Sequence, residues 1–175
     1  MTGAEHMDIR VLALDPTTKG FGYVIFEGPL SVVDWGAKSV RGKKKNAGCL
    51  RRLEDLIRFY RPEVIVLEEP RSCDSRRCDR VRGLLRGIRK QAGEWGVRVS
   101  VFSRKQVREV FAPIQAKTKH QIAKVLADRY REELGPRMPP FRMPWMSEDE
   151  RMAMFDAAAL AAVYFHYWSS GETTQ

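Results

Sequence analysis

Asp15 closes an apolar run. Val11-Leu-Ala-Leu14 has the continuous hydrophobicity of a strand buried on both faces, and a carboxylate follows directly at its end. Glu68 stands in the same position after Val64-Ile-Val-Leu67. A third acid, Asp156, interrupts an otherwise apolar helical face made by Met152, Ala153, Ala159, Leu160 and Val163. A lone carboxylate on a packing face is costly unless it is paired or holds a metal. Three such acids brought together repel one another, and divalent cations relieve that repulsion. An all-oxygen, half-open ligand set suits magnesium, with manganese as a substitute. Two ions of this kind activate a water and stabilise the leaving oxygen of a phosphodiester. The expected chemistry is metal-dependent cleavage of nucleic acid.

The intervening sequence must bring the three acids to one place. Strands are expected over residues 9–15, 21–27 and 30–40, joined by turns at Pro16 to Gly20 and at Gly28-Pro29. Leu50, Leu53, Leu56, Ile57 and Tyr60 predict a helix over residues 45–60, stopped by Pro62. A fourth strand over 64–67, a basic helix over 74–95 and a fifth strand over 97–102 follow. Helices are then expected over 103–110, with Ser103 as N-cap, and over 118–134. Four prolines make residues 135–146 a loop, and Ser147-Glu-Asp-Glu150 reads as a capping box opening a last helix that runs to about Tyr167. A strand returning through a helical crossover lands parallel to its predecessor. With strand four beside strand one, Asp15 and Glu68 meet at a switch point between carboxyl ends. The expectation is an α/β fold with a five-stranded mixed sheet, three strands antiparallel and two parallel, flanked by helices. It fills one domain over residues 9–168, between short tails at 1–8 and 169–175.

The 175 residues carry a net charge of +9, which points to a polyanionic partner, nucleic acid first and an anionic membrane second. The cations cluster. Lys38, Arg41, Lys43, Lys44, Lys45, Arg51 and Arg52 lie in a stretch without an acid. Arg71, Arg76, Arg77, Arg80, Arg82, Arg86, Arg89 and Lys90 form a second group, and Arg104, Lys105, Arg108, Lys117, Lys119 and Lys124 a third. Cationic clusters beside helix starts favour contacts to a phosphate backbone. Lys43, Lys44, Lys45, Arg71, Arg76, Arg77 and Lys117 are the residues expected to touch DNA. Cys49, Cys73 and Cys78 lack the paired short spacings of a zinc site and read as reduced thiols. No apolar run approaches the length needed to span a bilayer, and MTGAEHMDIR lacks the apolar core of a secretion signal, so cytoplasmic residence is expected, as in a bacterial or phage-like setting.

DPTTKGFGYVIFE resembles the first motif of the RuvC-like nucleases of the RNase H-like superfamily, and VIVLEEP resembles their second, acid-bearing strand. AKTKHQIAKVL (116–126) resembles the basic segment that precedes the last motif, and FDAAALAAVYFH (155–166) the closing helix. The resemblance implies an RNase H-like fold and a homodimeric Holliday junction resolvase that cuts one strand per subunit and leaves 5′-phosphate and 3′-hydroxyl ends. It implies Asp15, Glu68 and Asp156 as ligands of two magnesium ions, and Lys119 as an active-site lysine serving the scissile phosphate. Where the family commonly has a fourth ligand, one turn before the last Asp, this sequence has Ala153. Asp149 shares that face from a turn further away, and its alternative role is to serve the helix start. Strand alternation lets only one of Glu68 and Glu69 face the site, and Glu68 matches the motif. Two other readings stand beside the resolvase: an RNA-processing nuclease of the same superfamily, and a catalytically silent nucleic-acid-binding module. An ATPase with the related Asp-Gly-Thr-Thr turn needs two lobes and a glycine-rich adenosine site, for which this chain is too short.

Overall fold

The computed structural model describes residues 8–70 and 76–171, with the side chains of residues 76–78 left out. Arg71 and Cys73, and the side chains of Arg76, Arg77 and Cys78, therefore lie outside the described residues. Three strands open the chain, β1 (Arg10–Pro16), β2 (Gly20–Glu27) and β3 (Ser31–Ser39). Helix α1 (Lys45–Tyr60) leads to β4 (Val64–Glu68), and α2 (Arg76–Glu94) leads to β5 (Arg98–Phe102). Helices α3 (Arg104–Phe111), α4 (Lys119–Arg129) and α5 (Met152–Ser169) complete the fold, with short 3-10 turns at Ala112–Ile114 and Gly135–Arg137.

The sheet order is β3-β2-β1-β4-β5. β2 runs antiparallel to both β1 and β3, whereas β1, β4 and β5 are mutually parallel. Both helical crossovers return parallel, as the connection rule requires. The sequence reading of an α/β mixed sheet with β4 beside β1 holds. Alternation along the strands divides the interior in two. Leu12, Leu14, Ile25, Ile65 and Leu67 face α1 and α2, while Val11, Ala13, Val24, Phe26, Val64 and Val66 face α3, α4 and α5.

Three helix features differ from the sequence expectation. The capping box expected at Ser147 to Glu150 does not form; α5 starts at Met152, after Arg151 and without a side-chain cap. The acids meant for the cap are drawn elsewhere: Glu148 to Lys119, Glu150 to Lys19, and Asp149 to Arg151. Helix α4 ends at Arg129 rather than at 134. Tyr130 leaves helical geometry (φ −111°, ψ 62°) and its hydroxyl donates to the Pro29 carbonyl at 2.8 Å. Leu134 stays fully buried in the turns that follow, so its spacing mimics one more helical turn. Helix α5 is also more enclosed than a one-faced helix, since every residue from Met152 to Ala161 is buried. Its alanines let it sit between the sheet and α3 and α4.

Candidate active site

Strand alternation decides which acids meet. Val11 and Ala13 pack on the α5 side of β1, so Asp15 projects from the same face. Val64 and Val66 do likewise in β4, and Glu68 follows them. Leu14 stands opposite Leu67 in the parallel pair, which places Asp15 and Glu68 next in register at adjoining carboxyl ends. Glu69 turns away; it is exposed, and its N–H donates to the Phe102 carbonyl at 2.8 Å. Asp156 descends from α5 onto the same point and, among the described residues, is the one charged side chain that is buried.

Two cations meet the three acids. Lys119, the first residue of α4, places Nζ 2.7 Å from Asp156 Oδ2 and 2.9 Å from Glu148 Oε1. Thr118 fixes that residue by a capping box with Gln121. The second cation, Arg104, was not singled out by its sequence position. It opens α3, where Ser103 and Gln106 form another capping box, and its guanidinium spans two acids. Arg104 lies 3.3 Å from Glu68 Oε2 and 3.4 Å from Asp156 Oδ1. The signal that would have found it is positional: the first residue of a helix that follows a strand whose carboxyl end borders the acids.

Desolvation, then the Asp156 and Glu68 charges, push the Asp15 carboxyl well above its ordinary value, with Lys119 and Arg104 opposing only in part. Desolvation works to lower Arg104 and Lys119. The acids outweigh it, chiefly Asp156 in both cases, so both cations are held firmly protonated. Three carboxylates face two cations, and Asp15 has no ion-pair partner among the described residues. The cluster is short of positive charge, and its donors are all oxygens of the kind that hold magnesium. Among the described residues, however, no three such side chains are already arranged round a common point for an ion. Arg104 occupies the interval between Glu68 and Asp156.

The β1–β2 turn frames one side of the cluster. Thr17 Oγ1 accepts the Gly20 N–H at 3.0 Å, and the Arg80 guanidinium donates to the Thr17 carbonyl. Gly20 has no room for a side chain, because a Cβ would lie 1.7 Å from the Lys38 carbonyl oxygen. Gly22 pairs across the strands with Asp15 and is pressed against α5, where a Cβ would lie 2.4 Å from the Ala153 carbonyl carbon. Residue 153, an alanine one turn before Asp156, thus borders the acids but is filled by helix-to-sheet contact.

Asp149 is not directed into the cluster. It accepts the Arg151 backbone N–H at 2.9 Å and both sides of the Arg151 guanidinium, which lowers its carboxyl below the ordinary range. Asp149→Asn is therefore expected to leave the turnover number within about threefold of the wild type and to cost less than about 1 kcal/mol of stability. Single-turnover kinetics and a thermal melt check both numbers.

Lys43, Lys44 and Lys117 are exposed. Lys45 is partly committed to the fold, since its Nζ donates to the Thr18 carbonyl at 3.2 Å. Asp15, Glu68, Asp156 and Lys119, the four residues picked from sequence for the site, are brought together.

No family model and no curated protein matches this sequence. Solved structures do resemble the fold. RuvC of Thermus thermophilus, described in complex with a Holliday junction substrate, superposes with a TM-score of 0.69 at 16% identity, over 94% of this chain and 98% of that one. The yeast mitochondrial Holliday junction resolvase Ydc2 gives 0.63 at 15% identity, over 93% and 81%. The fowlpox virus Holliday junction resolvase gives 0.55 at 14%, over 91% and 99%. This chain has the RNase H-like fold in the form found in RuvC-type Holliday junction resolvases.

Proposed function

We propose that this protein is a metal-dependent, structure-selective DNA endonuclease that resolves four-way junctions as a homodimer, each subunit nicking one strand. The observation that carries the reading is the meeting of Asp15, Glu68, Asp156 and Lys119 at one edge of a resolvase-type sheet. The similar structures named above are those of junction resolvases, and the net charge of +9 suits a phosphate backbone.

Asp15, Glu68 and Asp156 would hold the metal, on the strength of their oxygen chemistry and of Asp15, which has no ion-pair partner among the described residues. Bound by these acids, two ions per site, magnesium or manganese in its place, would supply Lewis acidity for the attacking water and the leaving oxygen. The chain's own groups do the rest. Lys119 keeps its proton and can offer charge, or the proton itself, to the departing O3′. A P–O bond to water forms as the P–O3′ bond breaks, which leaves a 5′-phosphate and a 3′-hydroxyl. Arg104 restrains Glu68 and Asp156 from drifting apart. It must release one of them for the acids to close round an ion.

Incubation with end-labelled four-way junction, matched duplex and RNA–DNA hybrid, with magnesium or with chelator, tests the reading. Symmetric nicks in the junction that chelator abolishes are expected. No cleavage of any substrate sinks the enzyme, and cutting confined to RNA sinks the substrate assignment.

Lys43→Gln and Lys44→Gln together should weaken junction binding and flatten its dependence on salt, by about one unit of slope for each phosphate that the protein no longer neutralises. Anisotropy titrations at several salt concentrations read the slope directly. An unchanged slope would make these lysines surface only.

A further inference from the structure

We infer that the loop before α5 is a base-contacting surface, with Trp145 placed to stack on an unpaired base at the branch point of the nucleic acid cut at the acid cluster. This inference rests on the endonuclease reading and extends it to how a branch is sensed.

Most large apolar side chains of the described chain are inside, and single exposed ones need no explanation. The pattern here is different. Of the nine exposed large hydrophobic residues among those described, four (Phe141, Met143, Trp145 and Met146) fall within six positions. Trp145 is 78% exposed and Phe141 67%. Residues 136–147 contain Arg137 and Arg142, both exposed, and no acid. An apolar patch interleaved with cations is suited to a polyanion that also offers flat apolar faces, which describes single-stranded nucleic acid.

The segment is built to present the ring. The Met146 N–H donates to the Met143 carbonyl at 3.0 Å, closing a turn whose two central residues are Pro144 and Trp145. Proline at the first central position presets the backbone for that turn. Arg142 Nε donates to the Met146 carbonyl and ties the turn from the other side. Phe141 sets its ring against the edge of His120, with centroids 5.3 Å apart, and so anchors the loop to α4 beside Lys119. Trp145 thus stands at the apex of a bonded turn.

The loop is also linked to the chemistry. Glu148, three residues after Trp145, is bonded to Lys119, which is bonded to Asp156. Three residues span at most about 11 Å, so the Trp145 backbone lies within that reach of Glu148. Glu150 holds the same segment to Lys19 in the β1–β2 turn. A loop held by the active-site lysine on one side and by the β1–β2 turn on the other lies where a strand entering the site would pass. That position favours nucleic acid over a lipid surface as the occupant.

The test uses the full chain in chelator, with fluorescence anisotropy on a four-way junction and on an unbranched duplex of the same composition. Trp145→Ala should weaken junction binding about tenfold while duplex binding changes less than twofold. Trp145→Phe should recover most of the loss, because any aromatic ring stacks. Trp145 is exposed, so the melting temperature should not move. Phe141→Ala, which loosens the anchor, should give a smaller loss on the junction alone. Equal losses on junction and duplex, or a junction affinity within twofold of wild type in Trp145→Ala, overturn the inference and leave the endonuclease reading standing. Binding of wild-type protein to phosphatidylserine vesicles that Trp145→Ala abolishes, with junction affinity unchanged, assigns the loop to a membrane surface and overturns it as well. Failure of wild-type protein to bind either DNA removes both this inference and the reading beneath it.

Discussion

Asp15→Asn should abolish junction cleavage, by a factor of at least about a thousand, and at the same time make the metal-free protein more stable. The first effect corresponds to about 4 kcal/mol of lost transition-state stabilisation, the scale expected when a metal-holding carboxylate goes. The second follows from electrostatics. Asp15 is desolvated and lies near Asp156 and Glu68, so its ionised form is disfavoured in the fold and its carboxyl titrates well above the ordinary value. Below its unfolded value, about 4, the group is neutral in both states and costs nothing. Above its raised folded value the cost is fully present. Metal-free protein should therefore melt at higher temperature as pH is lowered from neutrality towards about 5, and Asp15→Asn should lack that component. Asp149 acts in the opposite sense, but only at lower pH, because its carboxyl is depressed. Magnesium should reverse the ranking at neutral pH, stabilising wild type and leaving the variant unmoved. Melting curves against pH, with and without magnesium, check both halves. A lower melting temperature for metal-free Asp15→Asn would mean that the carboxylate is held by favourable bonds, and the charge argument would fail.

Arg104→Met should have the next largest effect, and in the reverse direction. The guanidinium spans Glu68 and Asp156, whose side chains are 12% and 8% exposed, so its removal leaves two enclosed acids without this counter-charge. Stripping one partner from a buried pair costs several kcal/mol, and the long contacts here put the expected loss near ~2 kcal/mol. For a chain of this length that is a fall of roughly 6 °C in the metal-free melting temperature. The same change removes a competitor for the acids. Magnesium should then bind more tightly, by about tenfold, and its stabilising effect should exceed that on wild type. Calorimetric titration with magnesium measures the affinity directly. Arg104→Lys should lie between the two, since it keeps the charge and loses the fork. Weaker magnesium binding in Arg104→Met would show that the arginine orders the acids for the ion instead of competing with it.

What could be read from sequence divides along a physical line. Asp15 and Glu68 were legible because strand alternation gives the face, the end of each apolar run gives the terminus, and the crossover rule makes the strands neighbours. Asp156 was legible from helical spacing, although the helix proved buried nearly all round. Arg104 was not. Among so many basic residues nothing local marks the one whose helix start stands opposite α5. The start of α5 misled for a related reason. Ser147 to Glu150 has the form of a cap, but Lys19 and Lys119, far away in sequence, take the glutamates. Lys45, whose charge suggested DNA, also reaches the Thr18 carbonyl with its Nζ. Charge type is a local property, whereas the partner a charge finds is set by tertiary structure.

The packing of Gly22 on Ala153 has a mechanical consequence. A Cβ on Gly22 would meet the carbonyl carbon, the oxygen and the Cβ of Ala153 at 2.4, 2.6 and 2.7 Å, so main chain rests almost on main chain. Gly22 is the strand partner of Asp15, and Ala153 lies one turn before Asp156. The distance between the two acids is therefore gauged by a backbone stop. Side-chain rotamers adjust at little cost, whereas a stop of this kind has no slack, so the separation inherits the stiffness of the sheet. The same stop sets the tolerance of the site to change. Any atom added at residue 22 or 153 works as a shim, lifting the N-terminal end of α5 and widening the gap that an ion must bridge. A carboxylate introduced at 153 would bring a ligand to the cluster and prise the cluster open in the same movement.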